Sequence, residues 1–146
     1  MITVEKITAE HIPQIYDIEK SSFSDPWSME GFFSELDIPD RILLSATDED
    51  MVCGYVIGSS DGITAWIDNI AVSDGFRRQG IGNMLLSAFC EKCADCESIT
   101  LEVRESNIPA QELYKKYGFS AIGVRKNFYT DPRENAVVMS YQIRKE

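Results

Sequence analysis

The chain predicts an α/β fold, a central mixed β-sheet of about seven strands flanked by about four helices, in a single domain over 1–146. Three observations carry this. Short runs with period-two alternation outnumber the runs with helical spacing. The first half reads as a meander, and the second alternates strand and helix, which implies mixed pairing with helices on both faces. No linker, repeat or low-complexity tract divides the chain, and 146 residues suffice to bury roughly 70% of the unfolded surface.

The elements follow in order. Ile2–Ile7 alternates as a half-buried strand does. From about Glu10 to Ser22, Ile12, Ile15, Tyr16 and Ile18 fall near helical spacing. Ser24-Asp25-Pro26-Trp27-Ser28 breaks that pattern, and Ser28 can cap a short helix carrying Phe32, Phe33 and Leu36. Strands are expected over about Ile42–Ala46, Val52–Gly58 and Ile63–Val72, with polar turns at Asp48-Glu49-Asp50 and Ser59-Ser60-Asp61-Gly62. A helix then places Ile81, Met84, Leu85, Ala88 and Phe89 on one face. Ile99, Leu101 and Val103 alternate as a strand. Ala110, Leu113, Tyr114 and Tyr117 mark a further helix, which Gly118 ends. Strands over about Phe119–Arg125 and Ala136–Ile143 close the chain, with Asp131-Pro132-Arg133 in the turn between them.

Composition narrows the function. A net charge of −10 argues against a general nucleic-acid binder, whose affinity comes from neutralising phosphates. It suits a cationic partner. No apolar run reaches the ~18 residues that span a bilayer, so no membrane association is expected. Met1-Ile2-Thr3-Val4-Glu5 lacks a basic region followed by an apolar one, so no secretory signal is expected and the reading is cytoplasmic. Cys90, Cys93 and Cys96 form Cys-x-x-Cys-x-x-Cys, but a fourth ligand is missing nearby and the single histidine, His11, is distant. They read as reduced thiols, and no metal is expected. No oligomeric state is specified.

Arg77-Arg78-Gln79-Gly80-Ile81-Gly82 stands between a strand and a helix. Glycines there allow close approach of the main chain, and a helix start offers unpaired N–H groups and a positive dipole end to an anion. Leu85 stands where a dinucleotide fingerprint needs its third glycine, and no Gly-Lys-Ser/Thr of a P-loop follows. A tight turn with surface arginines would also account for the segment.

Downstream, Leu101-Glu102-Val103-Arg104-Glu105-Ser106-Asn107 leads into Ala110, Leu113-Tyr114 and Tyr117-Gly118-Phe119. With Asn69-Ile70-Ala71-Val72 and the glycine cradle, these residues resemble the GNAT superfamily of acyl-coenzyme A N-acyltransferases over about Asn69 to Phe119. Phe23-Ser24-Asp25-Pro26-Trp27-Ser28, Leu-Glu-Val-Arg at 101–104 and Arg125-Lys126-Asn127-Phe128-Tyr129 resemble more narrowly the RimI-type ribosomal-protein alanine N-acetyltransferases. Those enzymes acetylate the N-terminal alanine of the small-subunit ribosomal protein numbered eighteen. Where that family often has Glu-Asp-Ala before its last strand, this chain has Glu134-Asn135-Ala136.

The resemblance implies a GNAT-like fold, acetyl-coenzyme A as donor, and a basic protein N-terminus, such as that of a ribosomal protein, as acceptor. It implies that Arg77, Arg78, Gln79, Gly80, Ile81, Gly82 and Asn83 wrap the pyrophosphate, that Asn107 contacts coenzyme A, and that Ile70, Ala71 and Val72 bind through their backbone. It makes Glu102 the proton acceptor and Tyr114 the proton donor to the departing thiolate. Trp27 and Tyr129 become candidates for the acceptor groove. Asp25, Asp131 and Glu134 are expected to attract a basic peptide. Pattern alone reads Glu102 as a solvated strand carboxylate, Tyr114 as core, and Asn107 as a helix cap. A broader N-terminal or lysine acetyltransferase and a non-catalytic coenzyme A-binding module stay open.

Overall fold

The computed structural model describes residues 1–143. Seven strands form one sheet: β1 (Ile2–Lys6), β2 (Arg41–Asp48), β3 (Met51–Ser60), β4 (Thr64–Val72), β5 (Ser98–Arg104), β6 (Ser120–Thr130) and β7 (Arg133–Gln142). Among the described residues four α-helices accompany them: α1 (Ile12–Ser22), α2 (Met29–Glu35), α3 (Ile81–Lys92) and α4 (Ile108–Tyr117). The spatial order is β1-β2-β3-β4-β5-β7-β6. β4 and β5 pair in parallel, and every other neighbouring pair is antiparallel. The mixed sheet and helix count therefore match expectation.

Each face of the sheet carries its own core. On one, Leu85, Leu86 and Phe89 of α3 and Tyr114 of α4 pack on Leu44, Val56, Ile67, Leu101 and Val103. On the other, Ile12, Ile15 and Ile18 of α1 and Phe32 of α2 cover Leu43, Tyr55, Ile57 and Ala71. The alternation of β5 sends Ile99, Leu101 and Val103 into the first core and leaves Glu102 on the opposite face.

Most boundaries fall near expectation. Ser28 caps α2, its Oγ accepting from the Gly31 N–H at 3.0 Å. The final hairpin does not: its strands run to Thr130 and from Arg133, so the turn is far tighter than the sequence suggests. A bulge hides the strand character of 126–130. The β6–β7 register is irregular between Arg125 and Tyr129, and Asn127 sits at φ 54. The Asn135 side chain accepts from the Asn127 N–H at 2.9 Å and so supports that bulge.

Candidate active site

The sheet opens where β4 and β5 part. Their ladder runs from Thr64↔Ser98 to Ile67↔Leu101, with no later pair. A bulge begins the separation: Ile57 pairs with Asn69 and Gly58 with Ile67, leaving Asp68 as the extra residue. Gly58 permits this closeness, because a Cβ there would lie 2.1 Å from the Trp66 carbonyl and 2.7 Å from the Phe89 ring. Beyond the bulge β4 stays bonded to β3 alone. The Ser73 N–H donates to the Cys53 carbonyl at 2.8 Å, which sets the phase. By alternation, Ile70 and Val72 turn their peptide groups into the opening, whereas Ala71 turns its carbonyl toward Gly54 of β3. Ala71, expected to work through its backbone beside the other two, thus differs from them in direction.

The glycine cradle lies at the start of α3 on the side of the first core. Gly80 is the N-cap at φ 78, and no side chain satisfies the first-turn N–H groups. A Cβ on Gly80 would meet nothing within 4 Å, so the cradle is open. Gly82 does something else: it is buried, and a Cβ there would stand 2.8 Å from Leu113 Cδ2. Its smallness lets α3 approach α4. Arg77, Arg78, Gln79 and Asn83 are exposed around the opening, with Arg77 paired to Asp74 at 3.0 Å. Asn107 caps α4, its Oδ1 accepting from the Ala110 N–H at 3.2 Å.

Glu102 faces the second side, partly exposed, with Arg125 Nε 3.8 Å from its Oε1. Arg104 lies over the Tyr129 ring, 4.3 Å from its centroid. Burial first, then the Glu102 charge, pushes the Tyr129 hydroxyl up to about 12. Tyr114 is buried on the other face, and desolvation foremost, with Tyr129 second, raises its pKa. Both phenols therefore keep their protons at neutral pH. Trp27 is half-buried, its ring 5.3 Å from Phe32, so its indole packs as part of the second core. Glu134 is not a free attractor: its Oε2 accepts from the Ser106 N–H at 2.6 Å and its Oε1 from Arg104 at 3.1 Å, and these bonds lower its pKa.

The sequence reading missed two polar clusters on this face. Glu19, only 1% exposed, accepts from the Tyr55 hydroxyl, from Asn69 Nδ2 at 2.7 Å and from the Trp27 N–H at 2.9 Å. It ties the loop between α1 and α2 to β4 just past the bulge. Its signal was legible: with Ile12 and Ile15 it completes an i, i+3, i+7 stripe on the buried side of α1. Arg41 pairs with Glu35 and, at 2.7 Å, with Asp68 on the bulge. These bonds outweigh burial and raise the Arg41 pKa. The bulge puts Asp68 and Asn69 on the same face, so a period-two reading of β4 goes out of phase from Asn69 onward.

Against this geometry, comparison with known proteins decides the family. The acetyltransferase (GNAT) family profile matches residues 12–119. The chain belongs to the GNAT family. An Escherichia coli (strain K12) relative named [ribosomal protein bS18]-alanine N-acetyltransferase is 32% identical over 148 residues, covering 98% of this chain and 99% of its own length. A Bacillus subtilis (strain 168) relative carries that name provisionally and is 39% identical over 142 residues, covering 93% of this chain and 92% of its own. The crystal structure of the ribosomal-protein-S18-alanine N-acetyltransferase from Escherichia coli superposes with a TM-score of 0.88 at 30% identity, covering 100% of this chain and 96% of that one.

GNAT enzymes use acetyl-coenzyme A, and the first-turn donors of α3, the exposed arginines and the β4 edge fit such a donor: anion-binding groups at one end, unpaired peptides at the other. Among the described residues no group of three or more His, Cys, Asp or Glu could hold a metal ion. Burial pushes the Cys93 thiol up to about 12, which keeps it protonated at neutral pH. No helix among the described residues is long and apolar enough to cross a membrane.

Proposed function

We propose that this GNAT enzyme transfers acetyl from acetyl-coenzyme A to the N-terminal α-amino group of a protein, the alanine of ribosomal protein bS18 being the acceptor suggested by its relatives' names. The observation that carries the reading is the β4–β5 opening, with Glu102 on the face of α1 and α2 and Tyr114 buried on the face of α3. A donor held by the α3 cradle and an acceptor arriving from the opposite face would meet there.

Each residue then has a task. First-turn N–H groups around Gly80–Asn83, with Arg77 and Arg78, hold the pyrophosphate. Asn107 contacts coenzyme A while capping α4, and Ile70 and Val72 offer peptide groups to the pantetheine and the acetyl carbonyl. An N–H aimed at the developing oxyanion is the main electrostatic contribution expected of that edge. Glu102 receives the proton of the attacking amine, directly or through water. An α-amino group of pKa ~7.7–8.0 is about a quarter neutral near pH 7.4, against about a thousandth for a lysine at ~10.4, so a modest base suffices for a chain end.

Tyr114 returns a proton to the departing thiolate. In water a phenol near 10 and a thiol near 8.5 make that transfer uphill by roughly 2 kcal/mol. Burial raises the Tyr114 pKa further, which would hinder transfer to a solvated thiolate. A thiolate leaving inside the same low-dielectric opening becomes more basic by the same desolvation, so the two shifts offset.

The acceptor side favours a chain end. Ser24 Oγ donates to the Asp131 carbonyl at 2.9 Å, joining the α1–α2 loop to the final hairpin. A lysine within a chain would have to bring flanking residues past that junction. The test is a peptide panel beginning with Ala, Ser or Met, plus an N-terminally blocked peptide with an internal lysine. Fast turnover of the Ala peptide supports the reading, and preference for the blocked lysine peptide overturns it.

A further inference from the structure

Arg104 lies two residues beyond Glu102 on β5 and on the same face. Its Nη1 donates to the Pro132 carbonyl at 2.9 Å and to Glu134 Oε1 at 3.1 Å, and its Nη2 donates to the Asp131 carbonyl at 3.0 Å. The same guanidinium stacks on Tyr129, and its side chain is only 19% exposed. One side chain thus grips the hairpin at its turn, at β7 through Glu134, and at β6 through the Tyr129 ring. Glu134 adds a second link, accepting from the Ser106 N–H just beyond β5.

The hairpin needs such a grip. β6 is an edge strand of the sheet, and Tyr129 is its one residue that is not exposed. Its register with β7 is broken between Arg125 and Tyr129, so the ladder behind Tyr129 is interrupted. A planar, permanently charged fork can serve the two carbonyls, the carboxylate and the ring face together, whereas an ammonium cannot.

We propose that Arg104 is a positioning residue for the acceptor, holding the Tyr129 ring and the hairpin turn in register with the strand that carries Glu102. The inference rests on the groove proposed above, in which Tyr129 touches the acceptor. Arg104 itself acts through Tyr129. A purely structural stitch would instead loosen the whole enzyme, donor binding included.

The experiment assays Arg104→Met, Arg104→Lys, Tyr129→Ala and the Arg104→Met/Tyr129→Ala pair on a basic peptide beginning with Ala, with acetyl-coenzyme A affinity measured by calorimetry. Both Arg104 variants are expected to raise the peptide KM about tenfold and to leave donor affinity unchanged. In the Tyr129→Ala background, Arg104→Met is expected to add less than about twofold. Should the Met variant fail to fold, Arg104→Lys against Tyr129→Ala provides the same cycle. Wild-type KM in Arg104→Lys, a parallel loss of donor affinity, or a full Arg104 effect without Tyr129 each overturns the inference. If Tyr129→Ala raises the KM and neither Arg104 variant does, the inference fails alone. If Tyr129→Ala leaves the KM unchanged, the groove reading fails and takes the inference with it.

Discussion

Glu19→Gln is nearly isosteric, yet it should detach the α1–α2 loop from β4. In the native protein Oε1 accepts from Tyr55 and Asn69 while Oε2 accepts from the Trp27 N–H. A glutamine can keep its oxygen toward Tyr55 and Asn69, but then its NH₂ faces the Trp27 N–H, two donors together. One bond is lost, and the other two lose the strength that a charged acceptor adds. Removing a buried charge whose three partners are neutral returns part of that loss. The net expectation is about 1–3 kcal/mol of destabilisation. In a domain of this size that lowers Tm by roughly 3–10 °C. Glu19→Ala, which orphans three neutral donors, should lose about 3–5 kcal/mol. Differential scanning fluorimetry reads the stability, and the peptide KM, rising while acetyl-coenzyme A affinity holds, reads the loop. A Glu19→Gln protein with wild-type Tm and wild-type KM would refute the reasoning.

Other outcomes follow from the same geometry. Gly58→Ala should destabilise by at least about 3 kcal/mol, because its Cβ meets the Trp66 carbonyl and the Phe89 ring, neither free to withdraw; a melt near wild type would show that the bulge relaxes easily. Glu102→Gln and Tyr114→Phe should each lower kcat by about 10²-fold while acetyl-coenzyme A still binds, and a Tyr114→Phe enzyme that loses donor affinity instead would mark the tyrosine as packing only. Burial holds the Tyr55, Tyr114 and Tyr129 hydroxyls neutral, so the folded protein keeps protons that an unfolded chain releases above about pH 10. Their contribution to stability is thus complete below that pH and is lost as pH rises toward and through their raised folded values. Phenolate absorbance from these tyrosines should therefore appear together with unfolding, and early, non-cooperative titration of all six tyrosines would contradict it.

How much was legible depended on how far local pattern governed each element. The helical stripe of α3 and the alternation of β5 depend on one buried face each, so their periods were readable and Glu102 fell on the correct face. Ser28 and Asn107 could be read as caps because capping is a contact three residues long. The site's wider support was not local. The Asp68 bulge is a relation between β3 and β4, the Asn127 bulge masks half of β6, and the Arg104 grip joins segments 27 and 28 residues apart. Gly82 shows a subtler limit: its position in a phosphate-loop motif suggested ligand approach, but its neighbour is Leu113. Family resemblance, not periodicity, supplied roles for Glu102 and Tyr114, since either side chain suits an ordinary strand or core.

The most direct measurement is mass spectrometry of purified ribosomal protein bS18 after incubation with this enzyme and acetyl-coenzyme A. A single acetyl group on the α-amine of the N-terminal alanine, abolished by Glu102→Gln, is the predicted result. Acetyl groups on lysines with a free N-terminus, or no transfer by an enzyme that binds the donor, would contradict it.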